Sequence, residues 1–108
     1  MQQIYPCFAA AEMLVLASPI YYLGISGQLQ CAISRTYSIG IPGHLKKAAL
    51  FLSSDAENVY DGAIYAYRNG IIDYMGLEDQ GIYTAYGEGN RSAAKLDELY
   101  QLGRCLQE

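Results

Sequence analysis

A chain of 108 residues is long enough for one domain, and its 52% hydrophobic and 17% charged residues are typical of a folded protein rather than a disordered one. Seven lysines and arginines against eleven aspartates and glutamates give a net charge of −4, which disfavours nucleic acid or an anionic membrane as partner. Three widely spaced cysteines without a CxxC pair disfavour a disulfide framework or a metal site. No basic residue precedes Arg35, so a signal peptide is not expected and the predicted location is cytoplasmic.

The first third of the chain predicts a helix tail, a buried strand and a capped helix. Met1–Ala10 has helical spacing, and Pro6 predicts a kink or a late start of this helix. Met13–Ala17 is an unbroken apolar run, typical of a parallel strand covered on both faces, and Ser18-Pro19 is expected to end it because proline has no amide proton. After a loop, Ser26 is the predicted N-cap of a helix that continues to Tyr37.

The rest of the chain continues the alternation of strands and helices. Lys47–Ser53 again lacks polar alternation and predicts an interior strand, while the Tyr-rich Gly81–Tyr86 predicts an edge strand. Between them, Val59–Met75 has a helical apolar stripe that ends at Gly76. A turn over 87–90 and a last helix capped by Ser92 follow; the residues expected to face inward are Leu96, Leu99, Gly103 and Leu106. This order predicts an α/β fold with a parallel sheet of three strands.

A longer string of residues resembles a known family. Ala11-Glu12-Met13-Leu14-Val15-Leu16-Ala17-Ser18-Pro19-Ile20-Tyr21-Tyr22, followed by Ile25-Ser26-Gly27-Gln28-Leu29, is similar to the NAD(P)H-dependent FMN reductases, which have a flavodoxin-like fold. The chain departs from the family pattern at Glu12, Gln30 and Ser34, where Asp, Lys and Asp are usual.

The resemblance implies a partial flavodoxin-like three-layer fold. That fold has five parallel strands in the order 2-1-3-4-5, with FMN bound at the switch point beside strand 1. Residues 1–108 would supply strands 3, 4 and 5 as a single truncated domain, without the first two strands and the phosphate-binding loop. The cofactors implied are FMN and, as co-substrate, NAD(P)H. Hydride transfer would belong to the flavin, so no catalytic acid, base or metal ligand is expected from the chain.

By the same resemblance, two loops at the carboxyl ends of strands would contact the flavin. The implied cofactor-binding residues are Ser18, Pro19, Ile20, Tyr21, Tyr22, Gly24, Ser53 and Ser54.

Each candidate also has a structural interpretation. Residues 19–24 could be a strand-to-helix turn with outward tyrosines, and Ser53 and Ser54 could end a strand and cap a helix. The lone His44 reads as a solvated loop residue.

The alternative function is a non-catalytic flavodoxin-like module that folds as a homo-oligomer without FMN. The strand at residues 13–17 should be central, yet one neighbour is missing, and an open apolar edge recruits another chain. The expected partner is therefore a second copy, which would make a homodimer through this edge.

Overall fold

The computed structural model describes residues 3–87 and 93–106, and a parallel sheet forms its centre. The strands are β1 (Met13–Tyr21), β2 (Gly24–Ile25), β3 (Lys47–Ser54) and β4 (Glu78–Tyr86), in the order β2-β1-β3-β4. β1, β3 and β4 run parallel, whereas the two-residue β2 pairs antiparallel with β1. The α/β class and the parallel pairing of three strands are confirmed, but the sheet has a fourth, antiparallel strand that was not predicted. The arrangement is compatible with a flavodoxin-like sheet.

The helices follow the predicted alternation. They are α1 (Ile4–Ala10), α2 (Gly27–Thr36), α3 (Asp61–Ala66), which continues as a π-helix over Tyr67–Asp73, and α4 (Ala93–Leu106). Ser26 is the N-cap of α2, and its side chain accepts a hydrogen bond from the Leu29 amide at 3.2 Å, as predicted. The predicted Ser92 cap and most of the 87–90 turn lie outside the described residues. Across the described ranges, no helix is both long enough and apolar enough to cross a membrane.

The hydrophobic core lies on one face of the sheet. Leu16 on β1 and Leu50 and Leu52 on β3 point to this face, because side chains two apart on a strand share a side. Tyr67 and Ile71 of the π-helix complete the same buried cluster. The opposite face is less covered, and Val15 there is 52% exposed although it belongs to the most apolar stretch of the chain.

The structure corrects two strand boundaries. β1 does not end at Ser18-Pro19: it continues to Tyr21, with Pro19 in register opposite Ser53 of β3. At Pro19, β1 has a strand neighbour only on the β3 side. An amide that pointed to the other side would make no hydrogen bond to a strand, so proline is tolerated at this position. β4 begins at Glu78, three residues before the predicted start at Gly81, and it is the edge strand that was expected.

The prediction of which residues of α4 face inward is only partly correct. Leu99 and Gly103 are half-buried, but Leu96 is 63% exposed, and the burial of the Leu106 side chain lies outside what the structure describes. Leu96 therefore does not face inward as predicted.

Candidate functional site

The carboxyl ends of the three parallel strands meet at one edge of the sheet. Pro19 of β1 is in register with Ser53 of β3, which is in turn in register with Ala85 of β4. This edge is where open α/β sheets bind ligands. Of the residues implied by the family resemblance, Pro19 and Ser53 are thus adjacent across the ladder.

Ser18 organises the loop that follows β1. Its side chain is 5% exposed, its Oγ donates to the Pro19 carbonyl at 2.7 Å, and the Ser26 amide donates to the same Oγ at 2.9 Å. The hydroxyl therefore joins the end of β1 to the N-cap of α2. The donor proton and one acceptor lone pair of Ser18 are used within the chain, which gives this residue a structural role.

A tight hairpin turn presents the two adjacent tyrosines. Tyr22 and Leu23 form the turn between β1 and β2 with φ angles of 50° and 67°, both in the left-handed region. Two positive φ angles in a two-residue loop are typical of a type I′ turn, which is usually built from Asn and Gly. Tyr21 is 62% exposed and Tyr22 fully exposed, so both rings lie at the surface of the hairpin that follows Pro19 and are candidates for the wall of a ligand site.

The two other hairpin candidates have different surroundings. Ile20 is half-buried and packs against the main core, so its side chain serves the fold. Gly24 pairs with Tyr21 across the hairpin and borders a cavity on the helix-covered face. These residues do not form one surface with Pro19 and Ser53.

Ser53 and Ser54 are divided between the two faces of the sheet. Ser54 is buried; its Oγ donates to the Ala56 carbonyl at 2.6 Å and lies 2.6 Å from the Tyr60 hydroxyl. The Tyr60 hydroxyl also donates to the Ala85 carbonyl at 3.1 Å, so this network ties the ends of β3 and β4 together. Sequence reasoning did not identify Tyr60, because nothing distinguishes it among the chain's eleven tyrosines.

A groove of about 350 Å³ lies beside Pro19 and Ser53, between the sheet and α4. Its floor includes Phe51 and Tyr83, whose ring centroids are 4.9 Å apart at an interplanar angle of 31°. Lys95 is the charged residue among those lining it, and its ammonium lies 3.7 Å from the Glu98 carboxylate. The sequence analysis missed Phe51, although its position two residues before Ser53 on the same strand places it on the same face.

The remaining titratable candidates are dispersed. His44 is exposed in the loop before β3, as expected, and Cys7, Cys31 and Cys105 are exposed and unbonded to one another. Within residues 3–87 and 93–106, no three His, Cys, Asp or Glu side chains come together as metal ligands would.

Comparison with known proteins adds no identification. No protein-family model, no curated protein and no solved structure matches this chain. Its function must therefore be argued from the strand-end edge itself.

The surface at the carboxyl ends of the parallel strands suits the ring of FMN better than its phosphate. Pro19, Tyr21 and Tyr22 offer an exposed apolar and aromatic surface of the kind on which a flat ring packs. A phosphate needs clustered amides at a helix N-terminus or a basic side chain. The segment 18–25 contains no Lys or Arg, and the Ser18 and Ser54 hydroxyls are engaged within the chain. Segment 18–25 therefore offers a surface for the flavin ring and no phosphate cradle of its own, and the basic side chain that lines the adjoining groove is Lys95.

Proposed function

We propose that this chain is an oxidoreductase of the NAD(P)H-dependent FMN reductase type, whose strand-end edge holds the flavin ring. The observation that carries the proposal is the register of Pro19 with Ser53 at the carboxyl ends of parallel strands, with two exposed tyrosines in the hairpin that follows Pro19. The resemblance of residues 11–29 to that family supports the same conclusion.

The chain's own contribution would be binding and orientation. FMN, when bound, supplies the hydride chemistry with NAD(P)H, so the protein needs no acid or base of its own. Tyr21 and Tyr22 would cover one side of the ring and exclude water from it. Ser53, half-buried beside Pro19, is the hydroxyl placed to hydrogen-bond the edge of a ring lying there.

The lack of a basic side chain in segment 18–25 gives the proposal a direct test. If only the ring is recognised, riboflavin, which lacks the phosphate, should bind as tightly as FMN. Titration of each flavin, followed by quenching of flavin fluorescence, measures both affinities on the same protein. Failure of both flavins to bind would overturn the proposal. Tighter binding of FMN than of riboflavin would contradict the expectation that only the ring is recognised.

A matched pair of variants locates the binding surface. Tyr22→Ala removes one ring from the proposed wall and should weaken flavin binding about tenfold, because ring stacking contributes about 1–1.5 kcal/mol. Tyr65→Ala removes another exposed tyrosine, from α3, and should leave binding unchanged. Equal effects of the two substitutions would contradict the assignment. NADH or NADPH oxidation with added FMN then tests the reductase activity.

A second candidate function has its own observation. β1 pairs with β3 on one side, but on its other side only Ile20 and Tyr21 pair, with β2; among the described residues, 13–19 has no strand neighbour there. We therefore propose as the alternative a non-catalytic module that forms a homodimer through the exposed edge of β1.

Light scattering coupled to gel filtration tests the alternative. A dimer at micromolar concentration that dissociates in Val15→Lys, but not in the control Ile39→Lys, would support it. Val15 adjoins the open edge and is 52% exposed, whereas Ile39 is 43% exposed in the turn after α2. A monomer at that concentration would refute it.

A further inference from the structure

A cleft separates α2 from the helix formed by α3 and the π-helix. It consists of an inner cavity of about 640 Å³ and an outer cavity of about 420 Å³, which share Ile33, Gly70 and Ile71. The sheet residues Leu16 and Leu50 form the floor of the inner cavity. Both volumes lie within the range of small-molecule sites, which are mostly apolar.

The two walls of the cleft have apolar surface that they do not bury against each other. α2 has no fully buried residue, and Leu29 and Ile33 of its apolar stripe are only half-buried. On the opposite wall, a Cβ built at Gly70 would meet no heavy atom within 4 Å, which shows that this space is open. The apolar sides of both helices therefore face a common space.

The π-helix forms the second wall. It spans Tyr67–Asp73, and π-helical turns are rare and frequently occur at functional sites. Tyr67 keeps its ring in the core while its hydroxyl donates to the Asp79 carboxylate at 3.0 Å, so this polar group is already satisfied. The polar lining side chains that this wall contributes, such as Asn69 and Tyr74, are uncharged.

The charge of the lining limits what can bind. Among the described residues that line the two cavities, none is Asp, Glu, Lys, Arg or His, although 17% of the chain is charged. A phosphate, carboxylate or ammonium group would be desolvated there without a partner, which is costly. The exposed Gln30, by contrast, offers a neutral donor and acceptor at the inner cavity.

From these observations we infer that the cleft is a binding site for an uncharged, elongated and largely apolar molecule, such as a medium-chain alcohol or ketone. The molecule lies between Leu29 and Ile33 on one side and Ala66 and Gly70 on the other. The site is on the face of the sheet covered by α2 and α3. The groove at Pro19 and Ser53 is on the opposite face, and binding in the cleft requires no flavin.

The binding test uses the uncharged fluorescent probe N-phenyl-1-naphthylamine on the purified chain without flavin. Saturable binding of one probe per chain is expected, with displacement by dodecanol. Dodecanoate and dodecylamine have the same chain length but carry a charge, and they should displace the probe at least about tenfold more weakly. Equal displacement by the charged compounds, or no saturable binding, would overturn the inference.

Two matched substitutions locate the probe. Gly70→Leu fills the cleft and should weaken probe binding at least about tenfold, the loss expected when about two methylene groups are displaced. Gly103→Leu makes the same change on α4, at a glycine whose added Cβ also meets no atom within 4 Å, and should change affinity less than about twofold. Equal effects would place the probe elsewhere and refute the site.

A folding control and a second cleft-filling variant accompany these substitutions. Far-UV circular dichroism checks that each variant is folded, and Ala66→Leu offers a second way to fill the inner cavity. If a second copy of the chain fills the cleft instead, probe binding per chain will fall as protein concentration rises and dimers form, and this result would overturn the inference. The competition series on the unmodified chain decides the ligand class even if a variant does not fold.

Discussion

Replacing Ser18 with alanine removes the hydroxyl that joins the end of β1 to the start of α2. Its Oγ accepts from the Ser26 amide at 2.9 Å and donates to the Pro19 carbonyl at 2.7 Å. Alanine leaves the Ser26 amide without this acceptor, and an unsatisfied buried donor costs about 1–3 kcal/mol. Because Ser26 is half-buried and partly accessible to water, we expect the free energy of unfolding to fall by about 1.5 kcal/mol.

Urea unfolding followed by far-UV circular dichroism measures this loss. With a denaturant slope of about 2 kcal/mol per molar urea, the midpoint should fall by roughly 0.7 M. Ser53→Ala is the control, since Ser53 is half-buried on the neighbouring strand and makes no such pair of hydrogen bonds within the described residues. Its expected change is within about 0.5 kcal/mol. Equal midpoint shifts for the two variants would refute the role assigned to Ser18.

Two further predictions concern the helix that follows β3. Burial and the hydrogen bond to the Asp79 carboxylate raise the pKa of Tyr67 above its ordinary value. The stabilisation linked to this raised pKa is present below about pH 10 and is lost as pH rises further, because the unfolded state ionises first. Tyr67→Phe should therefore cost about 1.5 kcal/mol at pH 8 and less at pH 11 by urea unfolding; a pH-independent difference would contradict this. An alanine Cβ at Gly62 would lie 2.8 Å from the Leu23 carbonyl oxygen, whereas one at Gly70 meets nothing within 4 Å. Gly62→Ala should lower the thermal midpoint and Gly70→Ala raise it, each by roughly 4 °C for about 1 kcal/mol, and midpoints that move in the same direction would argue against the close approach.

The regular elements were accessible from sequence because their signals are local. Uninterrupted apolar runs identified β1 and β3, and a serine followed by helical spacing identified the start of α2. The hairpin at Tyr22-Leu23 was missed, because a turn with two positive φ angles normally contains Asn or Gly, and neither is present. Pro19 was misread as a strand end, because its tolerance depends on having a strand neighbour on one side only.

For the candidate site too, some features follow from the sequence and others only from the tertiary structure. The sequence by itself determined an α/β order and brought serines and tyrosines to the ends of neighbouring parallel strands, since that placement follows from strand direction alone. Only the tertiary structure decided which of those groups remain available: the Ser18 and Ser54 hydroxyls are engaged within the chain, while the Tyr22 ring is exposed. It also decided that α2 and the π-helix leave a cleft lined by uncharged residues. These outcomes depend on contacts between residues distant in the chain, such as Tyr60 with Ala85, which no local pattern encodes.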